Sequence, residues 1–239
     1  MNHVISRATK FIDLGLIDYQ QAWDRQTDLF NSILRTKSEN RNRPAETQQA
    51  TENFLLFCEH PHVYTLGKSG NENNLLISKE NLHSIGASYY HINRGGDITY
   101  HGPGQLVVYP VIDLENFFTD IHQYMRLLEE AVIQTLHVFK IKSGRIAGLT
   151  GVWLDWEDEK TARKICAMGV KTSRWVTMHG LALNVNTDLS YFKQMVPCGI
   201  KDKAVTSLDK EFGHSVEMRE IKMILREKLA HLFRMELID

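Results

Sequence analysis

The sequence predicts an α+β domain, in which a mixed β-sheet core is flanked by helices. Three segments repeat apolar residues at every third or fourth position, which is typical of amphipathic helices. Short segments rich in β-forming residues outnumber these helices and do not strictly alternate with them. This order favours a mixed sheet with helices on its faces over a regular βαβ array.

The helical periodicity predicts helices over residues 18–35, 119–139 and 216–235. We expect Thr119 and Ser215 to be the N-caps of the second and third helices, because a hydroxyl there accepts a hydrogen bond from an unpaired backbone N–H. The stretch 36–53 is polar and shows no apolar period, so it predicts a surface loop.

Apolar segments bounded by glycine or polar residues predict the strands. They cover residues 54–58, 98–101, 106–112, 152–156, 165–170 and 181–185. The sequence contains no internal repeat, and a length of 239 residues suits one large domain. We therefore expect a single domain over residues 1–239.

Composition and charge exclude several classes of protein. The chain is 43% hydrophobic and 24% charged, and its net charge is −1, so neither nucleic acid nor an anionic membrane is an expected partner. No segment reaches the roughly 18 apolar residues of a membrane span. Three cysteines and an N-terminus without the apolar core of a secretory signal predict a reducing, cytoplasmic location.

The densest motif is RGGDITYHGPGQLVVYP, at residues 94–110. Its glycines allow close approach to a ligand, and Arg94, His101 and Gln105 add polar groups, so the motif predicts a groove with polar edges. It matches neither the dinucleotide fingerprint nor the P-loop. A glycine-rich hairpin with a purely structural role is the alternative interpretation.

Cysteine position suggests a nucleophile. Cys198 lies in a predicted loop between proline and glycine, whereas Cys58 and Cys166 lie in apolar strands where cysteine usually acts as a small hydrophobe. A reactive thiol needs a nearby positive charge, and Lys164 lies two residues from Cys166 on the same strand face. Cys166 is therefore a rival to Cys198, although burial raises the pKa of a thiol.

A metal site is not expected. His60 and His62 are two residues apart beside Glu59, but a zinc site needs further ligands at short spacing, and none follows.

Six motifs in one order resemble the lipoyl(octanoyl) transferases of the biotin/lipoate protein ligase superfamily. They are EHPHVYTLGK (59–68), RGGDITYHGPGQ (94–105), GVW (151–153), KICAMGV (164–170), HGLALNVN (179–186) and PCGI (197–200). The resemblance runs from about residue 54 to residue 208. It implies the fold of the biotin/lipoate protein ligase catalytic domain.

The resemblance implies that an octanoyl (or lipoyl) group passes from acyl carrier protein to a specific lysine of lipoyl domains, in protein lipoylation and without a cofactor. The implied acceptors are the lipoyl domains of 2-oxoacid dehydrogenases and the glycine cleavage H protein. Cys198 is implied to carry the acyl group as a thioester, assisted by Lys164. The implied substrate-binding residues are Arg94, Gly95, Gly96, Asp97, Ile98, Thr99, Tyr100, His101, Ala167, Met168, Gly169, Gly180, Leu181 and Ala182.

Two alternatives remain open from the sequence. One is an ATP-dependent lipoate or biotin ligase on the same scaffold, although RGGDITYH replaces the Gly-Arg-Gly-Arg-like loop of the biotin type and PCGI is present. The other is a catalytically silent module that binds lipoyl domains. Several basic residues form a basic rim for acidic partners or are simply solvated charges: Lys160, Arg163, Lys193, Lys201 and Lys203.

Overall fold

The computed structural model describes residues 5–158, 160–196 and 204–238. Within these ranges the chain forms an eight-stranded mixed sheet and a separate three-stranded sheet. The strands of the large sheet, in spatial order, are β10 (Ala204–Val205), β8 (Arg163–Ser173), β9 (Val176–Asn184), β6 (Gln105–Val111), β2 (Asn53–Glu59), β1 (Ala8–Leu16) and β11 (Glu236–Ile238), with β7 (Val152–Leu154) paired to β8. The small sheet contains β4 (Ser88–His91), β3 (Val63–Leu66) and β5 (Ile98–His101), in that order.

Both sheets are mixed, which confirms the predicted α+β class. The central strands β2, β6, β9 and β8 pair antiparallel with one another in that order, whereas β1 is parallel to both β2 and β11, and β10 is parallel to β8. The helices are α1 (Tyr19–Asn40), α2 (Ile121–Val138), α3 (Leu208–Phe212) and α4 (Met218–Phe233). No helix in the described ranges is both long and apolar enough to cross a membrane.

The helices cover the two faces of the large sheet, as the alternation along β2 shows. Phe54, Leu56 and Cys58 pack toward α1, while Leu55 and Phe57 pack toward α2 and α4. Because both faces are covered, β2 is apolar at nearly every position rather than at alternate ones.

The predicted caps of the second and third helices are wrong. Asp120, not Thr119, caps α2, and its carboxylate accepts hydrogen bonds from the backbone N–H groups of His122 and Gln123. Glu217, not Ser215, caps α4 through the N–H of Arg219. In both cases a carboxylate closer to the helix satisfies the unpaired N–H groups.

The predicted loop over residues 36–53 is only partly a loop. Residues 36–40 continue α1, and Asn53 begins β2. The side chain of Asn40 bonds the backbone of Gln49, and buried Thr51 donates to Asp113, so polar contacts fix this segment to the domain.

The connection at Gly102–Gly104 joins the two sheets. It leads from β5 of the small sheet to β6 of the large sheet, so the interpretation as a hairpin is wrong. This link places the glycine-rich motif in the space between the sheets. The strands predicted over 152–156 and 165–170 are β7, which ends at Leu154, and β8, which extends in both directions.

Candidate active site

A cavity of about 460 Å³ lies against β6, β8 and β9 and is covered by the loop at residues 94–97. It is lined by Tyr19, Arg94, Gly95, Gly96, Asp97, Ile98, Thr99, His101, Val107, Tyr109, Met125, Gly148, Leu149, Thr150, Lys164, Ala167, Met168, Gly169, Val170, His179, Gly180, Leu181, Ala182, Phe192, Met195 and Val205. Its volume falls in the range of small-molecule sites, roughly 300–1,000 Å³. Side chains and backbone from both sheets and from α1 and α2 therefore meet at one apolar chamber with a few polar groups.

The structure brings the predicted substrate-binding residues to this cavity, with one exception. Tyr100 does not line it. This residue is fully buried, its hydroxyl bonds His62 Nδ1 at 2.7 Å, and its ring packs against Tyr64 and Phe192. Tyr100 is therefore part of the core of the small sheet.

Hydrogen bonds fix the loop over the cavity. The guanidinium of buried Arg94 donates to the carbonyl and hydroxyl of Thr65 at 2.7 and 3.0 Å. The carboxylate of Asp97 accepts from the backbone N–H groups of Asn71 and Ile98. The N–H of Gly95 donates to the carbonyl of Val170 at 2.9 Å, which ties the loop directly to β8.

Lys164 lies on the cavity wall, as the predicted catalytic role requires. Its cross-strand partner on β7 is Trp153, and its Nζ is 4.6 Å from the centroid of the Trp153 ring. Its partner on the other side is Val205 of β10, which also lines the cavity.

Cys198, the predicted nucleophile, lies outside the described residues. Cys198 belongs to residues 197–203, which are not described. Before and after these residues along the chain, Met195 and Val205 line the cavity. The other two cysteines are fully buried in the core, and burial raises the pKa of both the Cys58 and the Cys166 thiol well above the ordinary value. Neither is suited to act as a thiolate near neutral pH.

A cluster of histidine and tyrosine rings lies at one side of the cavity, where Tyr19, His101 and Tyr109 line it and His60 packs behind them. His60 Nδ1 is 2.8 Å from the carbonyl of Ile17, which only accepts, so this nitrogen carries the proton. His60 Nε2 then accepts from the hydroxyl of Tyr109 at 2.8 Å. Burial lowers the pKa of His60 to about 4, so the ring is neutral at physiological pH.

His101 is fixed by a chain of amide side chains. The Gln105 amide nitrogen donates to Asn184 Oδ1 at 2.9 Å, which leaves Gln105 Oε1 to accept from His101 Nδ1 at 2.7 Å. Asn184 in turn donates to the carbonyl of Thr206. His101 is therefore protonated at Nδ1, and burial lowers its pKa to about 3.

His179 is a third buried histidine and, like His101, it lines the cavity. It adopts a left-handed backbone conformation with φ of 60°, and its backbone N–H donates to the buried Gln26 side chain of α1 at 3.0 Å. Its Nε2 is 3.1 Å from Asn93 Oδ1. Burial lowers the pKa of His179 to about 3.

The predicted basic rim is only partly available to partners. Arg163 makes a two-pronged ion pair with Glu211, both contacts at 2.8 Å, and also pairs with Asp155. Lys160 is exposed and Lys193 is accessible to solvent, whereas Lys201 and Lys203 lie outside the described residues.

Sequence reasoning missed several residues of this wall, above all Tyr19 and Tyr109. Tyr19 is the first residue of α1 and Tyr109 lies within a fully buried strand, so each matches an ordinary core position in sequence. The signal that could have identified them is the phenol group, because a buried tyrosine hydroxyl usually needs a hydrogen-bond partner.

Comparisons with known proteins agree with this geometry. The family model described as "Lipoyl protein ligase A/B catalytic domain" matches residues 18–230. A relative named Octanoyltransferase from Cytophaga hutchinsonii is 62% identical over 225 residues, covering 94% of this chain and 92% of the relative. One with the same name from Flavobacterium johnsoniae is 56% identical, covering 95% and 97%.

The chain belongs to the lipoyl(octanoyl) transferases of the lipoate protein ligase family. It is therefore an acyltransferase, and the family's reaction is octanoyl transfer in protein lipoylation. A solved lipoate-protein ligase A bound with ATP shares the fold, with a TM-score of 0.65 at 16% identity, covering 97% of this chain and 90% of that chain. The expected resemblance to the ligase catalytic domain is thus confirmed at the level of fold.

Proposed function

We propose that this transferase takes octanoyl from acyl carrier protein and delivers it to a lysine of lipoyl domains, through a thioester on Cys198. The acceptors we propose are the lipoyl domains of 2-oxoacid dehydrogenases and the glycine cleavage H protein. The observation that carries the proposal is the largely apolar cavity with Lys164 on its wall. Both belong to a chain whose relatives are named Octanoyltransferase.

The shape of the cavity suits a fatty chain. Its wall follows β8 from Lys164 to Val170, and the six steps between these residues span roughly 20 Å at the rise of a strand. Met168, Leu181 and Ala182 are among the apolar side chains along it. Each methylene buried there contributes about 0.8 kcal/mol, so the chamber provides both affinity and selection by chain length.

The reaction needs no ATP because the donor is already a thioester. In the first step the Cys198 thiolate attacks the acyl carbonyl and the carrier's thiolate leaves, taking a proton from the Lys164 ammonium. In the second step the neutral amine of the acceptor lysine attacks the acyl-enzyme, its proton passes to the Lys164 amine, and the Cys198 thiolate leaves. The cycle restores the thiolate and the ammonium and divides one transfer into two easier ones.

Intact-mass measurement tests the proposal. Incubation with octanoyl-acyl carrier protein, without ATP or acceptor, should add the mass of one octanoyl group, and peptide mapping should place it on Cys198. Cys198→Ser should gain no covalent acyl adduct, since a serine hydroxyl is a far weaker nucleophile than a thiolate at neutral pH. Cys58→Ser is the matched control and should still be acylated, because that thiol lies in the core.

Three outcomes would contradict it. An adduct that maps to Cys166 would show that Cys166, and not Cys198, is the nucleophile. Transfer that occurs only with free octanoate and ATP would indicate a ligase. No gain of mass, together with binding to lipoyl domains, would indicate a silent binding module.

A further inference from the structure

Lys164 is held by an aromatic ring rather than by a carboxylate. Trp153 stands directly opposite it on the adjacent antiparallel strand, and the ammonium lies 4.6 Å from the ring centroid. Within the described ranges no carboxylate lies within 4.0 Å of this ammonium, although the neighbouring Arg163 pairs with two. A cation within about 6 Å of an indole face is attracted by the ring quadrupole.

Core packing accounts for a large apolar side chain at position 153 but not for the indole N–H of Trp153. The residue is 1% exposed, and its Nε1 has no hydrogen-bond acceptor among the described residues. A buried, unpaired N–H lowers stability, and leucine or phenylalanine would fill a core without that cost. Tryptophan offers the strongest cation–π face of the natural side chains, which is what the facing ammonium uses.

The backbone of β7 is anchored so that this ring meets Lys164. Trp153 exchanges two backbone hydrogen bonds with Gly144, at 2.8 and 3.0 Å. Two residues earlier, the N–H of Gly151 donates to the buried carboxylate of Glu129 at 3.0 Å. A Cβ on Gly151 would lie 2.5 Å from the carbonyl oxygen of Cys166 and 3.5 Å from Lys164 Cε, so glycine allows this close approach to β8.

We propose that Trp153 is a positioning residue, whose ring face holds the Lys164 ammonium on the cavity wall. This inference rests on the proposed function, because it concerns the lysine that gives a proton to the leaving carrier thiolate and takes one from the acceptor amine. A carboxylate partner would neutralise the ammonium and compete with the thiolate for it. The indole face attracts the cation while leaving its charge available to a thiolate.

The test is a series of tryptophans carrying one to four fluorines, incorporated site-specifically at position 153. Fluorine withdraws electrons from the ring face and hardly changes its volume, so packing is nearly constant along the series. We expect kcat to fall stepwise, by about three- to tenfold with four fluorines, with little change in KM. In a Lys164→Ala background the series should have no effect, and the same series at Trp156 in otherwise unchanged protein should leave kcat constant.

A constant kcat along the series at position 153 would overturn the proposal. So would equal falls with and without Lys164, because that pattern indicates a packing effect. Thermal unfolding of each protein identifies any change in stability.

A second measurement separates this inference from the proposed function. Reductive methylation with ¹³C-formaldehyde keeps the lysine charge, and the dimethyl signal of Lys164, assigned as the one lost in Lys164→Ala, should be shifted upfield by the indole ring current. The shift should disappear in Trp153→Leu and persist in Trp156→Phe. An unshifted signal would overturn the contact even if octanoyl transfer is confirmed, whereas a shifted signal in a protein without transfer activity would support the contact and reject the function.

Discussion

Gly169 marks the point where the loop at residues 94–97 crosses β8. A Cβ at this position would lie 2.9 Å from the carbonyl oxygen of Gly95 and 3.1 Å from Arg94 Cδ. Because Gly169 pairs with Gly180 on β9, two residues without side chains lie side by side on the cavity wall. Because neither glycine has a side chain, the loop at residues 94–97 can lie close to β8. The same absence determines the width of the cavity at this point.

Gly169→Val should weaken donor binding. Its side chain would displace the loop or enter the cavity, so we expect KM for octanoyl-acyl carrier protein to rise on the order of tenfold or more. Steady-state kinetics with the carrier substrate measures this. Thr172→Val, an exposed position on the same strand outside the cavity, is the control and should behave as the parent protein. Unchanged kinetics in a folded Gly169→Val protein would show that the loop has no such dependence on glycine.

Individual site residues were predictable only where they share a motif. Residues 94–99 and 101 are close in sequence and lie on one cavity, so their chemistry could be identified together. Tyr19 and Met125 lie outside every motif and reach the same cavity from two helices, so only the fold brings them there. Tyr100 shows the converse, since membership of the motif did not place it on the cavity.

At the scale of elements, predictability depends on burial and on how clearly a segment is separated from its neighbours along the chain. Strands β2 and β6 are covered on both faces and stand out as continuous apolar runs. Strand β4 is an edge strand without a buried residue, and β3 follows β2 after only three residues, so neither stands out in the sequence. The helices α1, α2 and α4 were found from their periodicity, whereas the five-residue α3 was not predicted. The ends of the predicted helices depend on which polar side chain reaches the free N–H groups.

The cap of α2 gives a matched pair of substitutions. Asp120→Ala should lower the free energy of unfolding by about 1 kcal/mol, because it removes the acceptor for two backbone N–H groups. Thr119→Ala, one residue earlier and also exposed, should change it by less than about 0.5 kcal/mol. Urea denaturation of both variants measures the difference. A larger loss of unfolding free energy in Thr119→Ala than in Asp120→Ala would show that Thr119 is the N-cap of α2, as the sequence predicts.

At the scale of the whole molecule, three neutral histidines are buried beside one cavity. Burial lowers the pKa of His60 to about 4 and those of His101 and His179 to about 3. In the unfolded chain a histidine titrates near pH 6.5, so between about pH 6.5 and 4 the unfolded state binds more protons than the folded state. Stability rises with pH wherever the unfolded state binds more protons, and it must therefore fall as the pH drops through this window.

The acid sensitivity of folding should consequently begin well above the range in which carboxylates titrate. Between pH 7 and 5 we expect the free energy of unfolding to fall by several kcal/mol, at up to roughly 1.4 kcal/mol per histidine per pH unit. The pKa values of Glu130 and Glu211 are lowered by Arg145 and Arg163, so these carboxylates lose their contribution only at lower pH. Urea denaturation at half-unit steps of pH measures the slope.

His60→Gln should remove about a third of that slope whatever its effect on absolute stability, whereas His83→Gln, at an exposed position, should leave it unchanged. A free energy of unfolding that stays constant from pH 7 to 5 would mean that these rings are not kept neutral by burial, and that the polar side of the cavity carries charge when the acyl chain enters.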